Sequence, residues 1–297
     1  LRIPRLLLPV ALGLVAVLLM GVSLTYASAP ETLSTTTRVP ANIAPTPAPF
    51  ITIEAPILVY HSVGSAGKGL NVTAQDFAAQ MDWLQQNGYT SVSLDQVAAA
   101  LRGQATLPPR PVALTFDDGW AHVYTNVVPA LQAHGFRGTF FVIAGYGSGR
   151  SPTFLSWDQI KAMRDAGMWI GAHSFTHPRL NGLDAMGLRH EVVDAKAEIE
   201  KHIGGPVTVF AYPYGGVSPR VMQAAQEAGY VAAVVISPRV QQRSDQIYRL
   251  NRITMSTMTM AQFKLYLTGG KVALPPLPQR LLHPFRDEDA ICRRWGC

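Results

Sequence analysis

The sequence predicts an α/β fold, a (β/α) barrel of about seven parallel strands, preceded by a transmembrane or signal helix. Three observations carry this. From residue 55 onward, short β-branched runs alternate with longer amphipathic stretches. Most of the runs are largely apolar, as strands buried on both faces are. Roughly seven such units fit one barrel better than two domains, and no internal repeat is visible.

Taken in order, residues 1–29 stand apart from the fold. Arg2 and Arg5 precede a stretch without charge until Glu31. As a helix, Leu6–Thr25 would reach about 30 Å, enough to cross a bilayer core. Ala27-Ser28-Ala29 offers a signal-peptidase pattern, but Pro30 would follow the cut, which favours a retained anchor over a cleaved signal. Either way the positive end stays inside, and an extracytoplasmic location follows. Residues 30–54, rich in Pro and Thr, read as an extended linker. The barrel is expected over residues 55–271 and a Pro-rich tail over 272–297.

The strands are expected at Ile57–Tyr60, Thr90–Ser93, Val112–Phe116, Gly138–Ile143, Met168–Ala172, Val207–Ala211 and Val231–Ile236. Between them, Thr73 caps a helix carrying Phe77, Met81 and Leu84, which stops at Gly88. Ser156 with Gln159 forms a capping box, and that helix ends at Gly167. Ser218-Pro219 starts another that stops at Gly229.

Of the 297 residues, 48% are hydrophobic and 15% charged, which excludes a disordered chain. The formal charge of +6 suits an anionic wall or membrane, but the arginines are scattered and no nucleic-acid motif occurs. Cys292 and Cys297 could close a small loop around Trp295 or be incidental; two thiols are no disulfide framework.

In barrels the chemistry gathers at the carboxyl ends of strands. Val112–Phe116 runs directly into Asp117-Asp118-Gly119. Adjacent carboxylates repel unless something offsets the charge, and a metal does so: one binds the cation while the other accepts a proton. A plain surface turn can carry the same three residues. Met168–Ala172 ends at His173-Ser174-Phe175-Thr176-His177, whose two imidazoles could reach one ion. Two His and one carboxylate make a three-ligand site with open positions, as a hydrolytic metal needs.

These residues resemble the polysaccharide deacetylases, also called the NodB homology domain or carbohydrate esterase family four. Thr115-Phe116-Asp117-Asp118-Gly119 is similar to their first motif, His173 to His177 to the second, and Phe210-Ala211-Tyr212-Pro213-Tyr214-Gly215 to the third. The resemblance spans roughly residues 55–255. It implies a distorted (β/α) barrel, Asp118, His173 and His177 as ligands of a divalent metal such as zinc, Asp117 as general base, and the Tyr214 backbone N–H as an oxyanion donor. The implied partner is an acetylated polysaccharide, with the membrane as a second partner if the first helix is retained.

Two departures matter. Many members carry an arginine in the third motif to orient the aspartate, and here that position is Ala211; Arg252 is the replacement expected. The fifth motif lacks its histidine across Ile253–Met258. His61, ending the first strand, is the expected proton donor, with His283 a weaker rival. The Tyr60-His61 pair resembles a subgroup that includes poly-N-acetylglucosamine deacetylases. Tyr60, Tyr146, Tyr212 and Pro213 are candidate substrate contacts; Trp157 either stacks on sugar or packs its own helix. Gly145-Tyr146-Gly147-Ser148-Gly149 reads as a flexible loop near the cleft, and His122, His134, His190 and His202 as surface residues. An O-acetyl xylan esterase and a non-catalytic polysaccharide binder are the competing functions.

Overall fold

The structure is a computed structural model, and it describes residues 49–64, 70–256 and 258–269. The expected N-terminal helix, most of the linker, His283, Cys292 and Cys297 lie outside the described residues. Among the described residues no helix is long and apolar enough to cross a membrane.

Seven strands close into a ring: β1 (Ile57–Tyr60), β2 (Pro111–Phe116), β3 (Thr139–Val142), β4 (Trp169–Ala172), β5 (Val209–Ala211), β6 (Ala232–Ile236) and β7 (Leu250–Thr254). Each pairs in parallel with its neighbour in the chain, and β7 returns to β1 through Ile253 opposite Leu58. The expected strand count holds, but its membership changes. Thr90–Ser91 pairs only with the first residues of β2, Pro111 and Val112, and is not a member of the ring. Its place is taken by β7, whose Asn251 and Arg252 interrupt the apolar run by which the other strands are recognised. Thr52–Glu54, inside the range read as linker, pairs antiparallel with Gln241–Arg243.

Side chains alternate across each strand, so residues two apart share a face. Leu58, Tyr60, Leu114, Phe116 and Phe140 belong to one buried cluster with Phe77, Met81 and Leu84 of the helix Ala74–Gln86. Tyr60 stacks on Phe116 at 5.2 Å and Phe116 on Phe140 at 4.7 Å, forming an aromatic layer between sheet and helix. Ile57, Ala113, Phe141, Val209, Ala211, Val234 and Leu250 make a second cluster, the filling of the barrel. Gly171 is required there: a Cβ would come within 2.5 Å of the Phe141 ring.

The capping signals hold. Thr73 accepts from the Asp76 N–H, Ser156 and Gln159 form a reciprocal capping box, and Ser218 accepts from the Val221 N–H with Pro219 in the first turn. Gly88, Gly167 and Gly229 adopt positive φ just beyond the three helices, the left-handed stop that lacks a steric cost only for glycine.

Candidate active site

Continuing the alternation past the strand ends selects the site. His61 shares the parity of Ile57 and Val59, Asp117 that of Ala113 and Thr115, His173 that of Gly171, and Arg252 that of Leu250. All four therefore emerge on the inner face at the carboxyl end of the barrel. They line a small cavity with Leu70, Asp118, His177, Tyr212, Tyr214 and Ile236.

Asp118, His173 and His177 are all buried, with one ligand atom from each lying within 4.8 Å of the others. The Nε2 atoms of the two histidines face each other at 3.2 Å, and Asp118 Oδ1 lies 3.5 Å from His173 Nε2 and 3.6 Å from His177 Nε2. His173 donates Nδ1–H to the Ala211 carbonyl at 2.8 Å, which directs the lone pair of Nε2 into the cavity. His177 Nδ1 lies 3.2 Å from the Tyr214 hydroxyl. Three inward-pointing donors, one anionic and two imidazole, match the set a divalent metal takes in a hydrolytic site.

Asp117 sits beside this triad and is held differently. Arg252 donates from one terminal nitrogen to Oδ1 at 2.6 Å and from the other to Oδ2 at 2.7 Å. This bidentate pair is the strong geometry for a guanidinium and a carboxylate. Arg252 is 1% exposed, and it also donates to Thr115 Oγ1 at 3.3 Å. Burial pushes the Asp117 carboxyl up, but Arg252, with His173 and His61, outweighs it and holds the group below the usual carboxylate range. For Asp118 burial again pushes up, and the hydrogen bond to His173 together with the charges of His61, His177 and His173 more than reverses it.

His61 reaches the same cavity, 8% exposed, with Nδ1 buried and unpaired. Burial holds its pKa below the ordinary histidine value, against the attraction of Asp118 and Asp117. His122, read as a surface residue, is half-buried instead. Its Nε2 lies 3.2 Å from Ser62 Oγ and 3.3 Å from the Val63 N–H, pinning the segment that follows His61.

Four non-glycine residues here adopt positive φ: Asp118 (74°), Ser174 (64°), His177 (67°) and Tyr214 (57°). Such conformations cost about 1–3 kcal/mol each and persist only where the surrounding structure over-determines them.

Several expected substrate contacts are corrected. Tyr60 points away from the cavity, because its parity is opposite to that of His61; it is fully buried and donates its hydroxyl to Gln80 at 2.8 Å. Tyr146 packs against Phe154, with ring centroids 4.6 Å apart, in an apolar cluster with Ile143. Trp157 stacks on His202 at 4.3 Å, above Gly147. Tyr212 does line the cavity, with its hydroxyl donated to the Tyr248 carbonyl; Pro213 is buried at the start of the turn that carries Tyr214. Trp120 was missed: its indole N–H donates to Asp118 Oδ2 at 3.0 Å and so fixes the carboxylate plane. Ile236 was also missed, although its place at the end of a predicted strand marked it.

The description "Polysaccharide deacetylase" belongs to the family model that matches residues 104–233. The Bacillus subtilis protein "Putative polysaccharide deacetylase YxkH" is 31% identical over 217 residues, covering 73% of this chain and 77% of that protein. The chain belongs to the polysaccharide deacetylase family. This deacetylase is also 45% identical to the Escherichia coli poly-beta-1,6-N-acetyl-D-glucosamine N-deacetylase over 64 residues, which is 22% of this chain and 10% of that protein. Among solved structures, the Streptococcus pyogenes deacetylase PplD in complex with acetate superimposes with a TM-score of 0.68 at 25% identity. The match covers 75% of this chain and all of that one. The expected family, barrel and hydrolytic class are thereby established.

Proposed function

We propose that this deacetylase removes acetyl groups from N-acetylglucosamine units of a polysaccharide outside the cytoplasm, using a divalent metal held by Asp118, His173 and His177. The carrying observation is the division of labour between the adjacent carboxylates. Asp118 faces two imidazole nitrogens, whereas Asp117 is gripped by Arg252. Asp118, His173 and His177 would hold the metal, zinc being the best match to these donors, and it would supply Lewis acidity toward the acyl oxygen and lower the pKa of water to ~7.

The remaining work falls to the protein. Asp117, kept ionised by Arg252, takes the proton of the attacking water, and the bidentate grip keeps its oxygens in place as the charge changes. The Tyr214 backbone N–H donates to the developing oxyanion. His61, across the cavity, delivers a proton to the leaving amine. Arg252 and His61 thus fill the two roles left vacant by Ala211 and by the fifth motif.

The substrate reading rests on the Tyr60-His61 resemblance and on the Escherichia coli relative's specificity; the location rests on Arg2, Arg5 and the apolar run after them. The test is acetate release across N-acetylglucosamine oligomers, peptidoglycan and O-acetylated xylan, with chelator and zinc-restored controls. We expect release from the N-acetylglucosamine oligomers, lost with chelator and restored by zinc. Zinc binding with no acetate from any glycan would overturn the catalytic reading, and release from xylan alone would overturn the amide.

A further inference from the structure

The loop between the two histidine ligands is held from both sides, and one of the holders is a buried carboxylate outside every motif named above. Glu191 is 4% exposed. Its Oε2 accepts from the Phe175 N–H at 2.9 Å and the Thr176 N–H at 2.8 Å, and its Oε1 accepts from the Thr176 hydroxyl at 2.6 Å. On the opposite side, Ala144 and Gly145 donate their N–H groups to the carbonyls of Ser174 and Phe175 at 3.1 and 2.8 Å. Gly145 has to be glycine, since a Cβ there would lie 2.8 Å from the Phe175 oxygen. The start of the glycine-rich loop after β3 thus braces the histidine turn from behind.

The helix delivering Glu191 is locally unwound. Residues His190–Asp194 form a π-helical turn between the α-helices Ala185–Arg189 and Ala195–Ile203. Such turns cost helix stability and recur at functional sites, because they turn one side chain off the regular face. The turn also brings His190 against the Phe175 ring, at 4.3 Å. The loop so held contains Ser174 and His177, both in left-handed conformations, with the His177 N–H donated to Ser174 Oγ at 2.8 Å. Neither residue would keep that backbone unaided.

We infer that Glu191 is a positioning residue: through three hydrogen bonds it holds the 174–177 turn in the left-handed form that aims His177 at Asp118 and His173. The inference rests on the metal-site reading above. Partners behind the ligands of a metal site typically set affinity by about 10- to 100-fold. Zinc affinity, measured by competition with a chromophoric chelator, is the readout, because it needs no turnover and a purely structural role would not move it.

Glu191→Ala should weaken zinc binding by about 10- to 100-fold, while kcat at saturating zinc falls much less. Glu191→Gln keeps a carbonyl oxygen for the two backbone N–H groups and should recover most of the affinity; Thr176→Val removes one bond of the three and should lie between. Zinc affinity in Glu191→Ala equal to that of the parent enzyme would overturn the inference. Should that variant not fold, the same comparison on Glu191→Gln and Thr176→Val decides, and parental affinity in both overturns it. A parent enzyme that binds no zinc would instead refute the metal-site reading, so the two failures are distinct.

Discussion

Replacing Arg252 by Gln removes both hydrogen bonds to Asp117, at 2.6 and 2.7 Å, from a pair that is almost wholly buried. Breaking a buried ion pair by removing one partner costs about 3–5 kcal/mol, since the remaining charge is left without compensation. Part of that cost is relieved when Asp117 takes up a proton, and a protonated Asp117 cannot act as a base. With its base misaligned and more readily protonated, the variant should lose about 10² in kcat/KM near neutral pH, the lower end of what a positioned general base contributes. The direction with pH follows from linkage. Asp117 is held low in the folded enzyme, so its ion pair stabilises the fold above the ordinary carboxyl pKa, and that stability is lost as pH falls through the lowered value. The variant should therefore be less stable than the parent at neutral pH, the gap closing in acid. Its activity profile should rise at higher pH than the parent's. Arg252→Lys, keeping charge but not the fork, should fall between the two. The assays are acetate release against pH with zinc-loaded enzyme and urea unfolding at neutral and acid pH. An Arg252→Gln profile that matches the parent's in height and shape would refute the orienting role.

His61→Ala should retain zinc binding and lose about 10²–10⁴ in amide hydrolysis; with an activated acetyl ester, whose leaving group needs no proton, the loss should be far smaller, and near-parental amide turnover would sink the assignment. Phe116→Ala opens a hole in the aromatic layer between Tyr60 and Phe140. It should cost about 3–5 kcal/mol in urea unfolding while zinc affinity below the transition stays parental; a cost under about 1 kcal/mol would show that the layer collapses around the gap.

How far the sequence carried the fold depends on what each strand presents to it. Ile57–Tyr60 and Val112–Phe116 are short, mostly apolar runs buried on both faces, and their length and β-branched residues place them. β7 is equally buried, but Asn251 and Arg252 spend two of its five positions on polar contacts, so no hydrophobic pattern announces it. Asp117 and Asp118 were legible because the backbone itself makes them neighbours. Arg252 was legible only through a missing partner: Ala211 left a vacancy, and an arginine near the end of the last strand could fill it. Tyr60 was misplaced by treating two consecutive strand residues as one unit, when the pleat sends His61 inward and Tyr60 outward. Glu191 gave no signal, because regular helical spacing does not anticipate a π-turn.

The singly wound ring also divides the site by birth order. Asp118, His173 and His177 come from β2 and β4, whereas Arg252 arrives on β7, the last strand made and the one that seals the ring against β1. Until that seam closes, Asp117 has no guanidinium opposite it and two neighbouring carboxylates repel. Three ligands of the proposed metal thus hang on β2 and β4, whereas a gripped Asp117 also needs the seam between β7 and β1, so bound cation and hydrolysis would report on different parts of the ring.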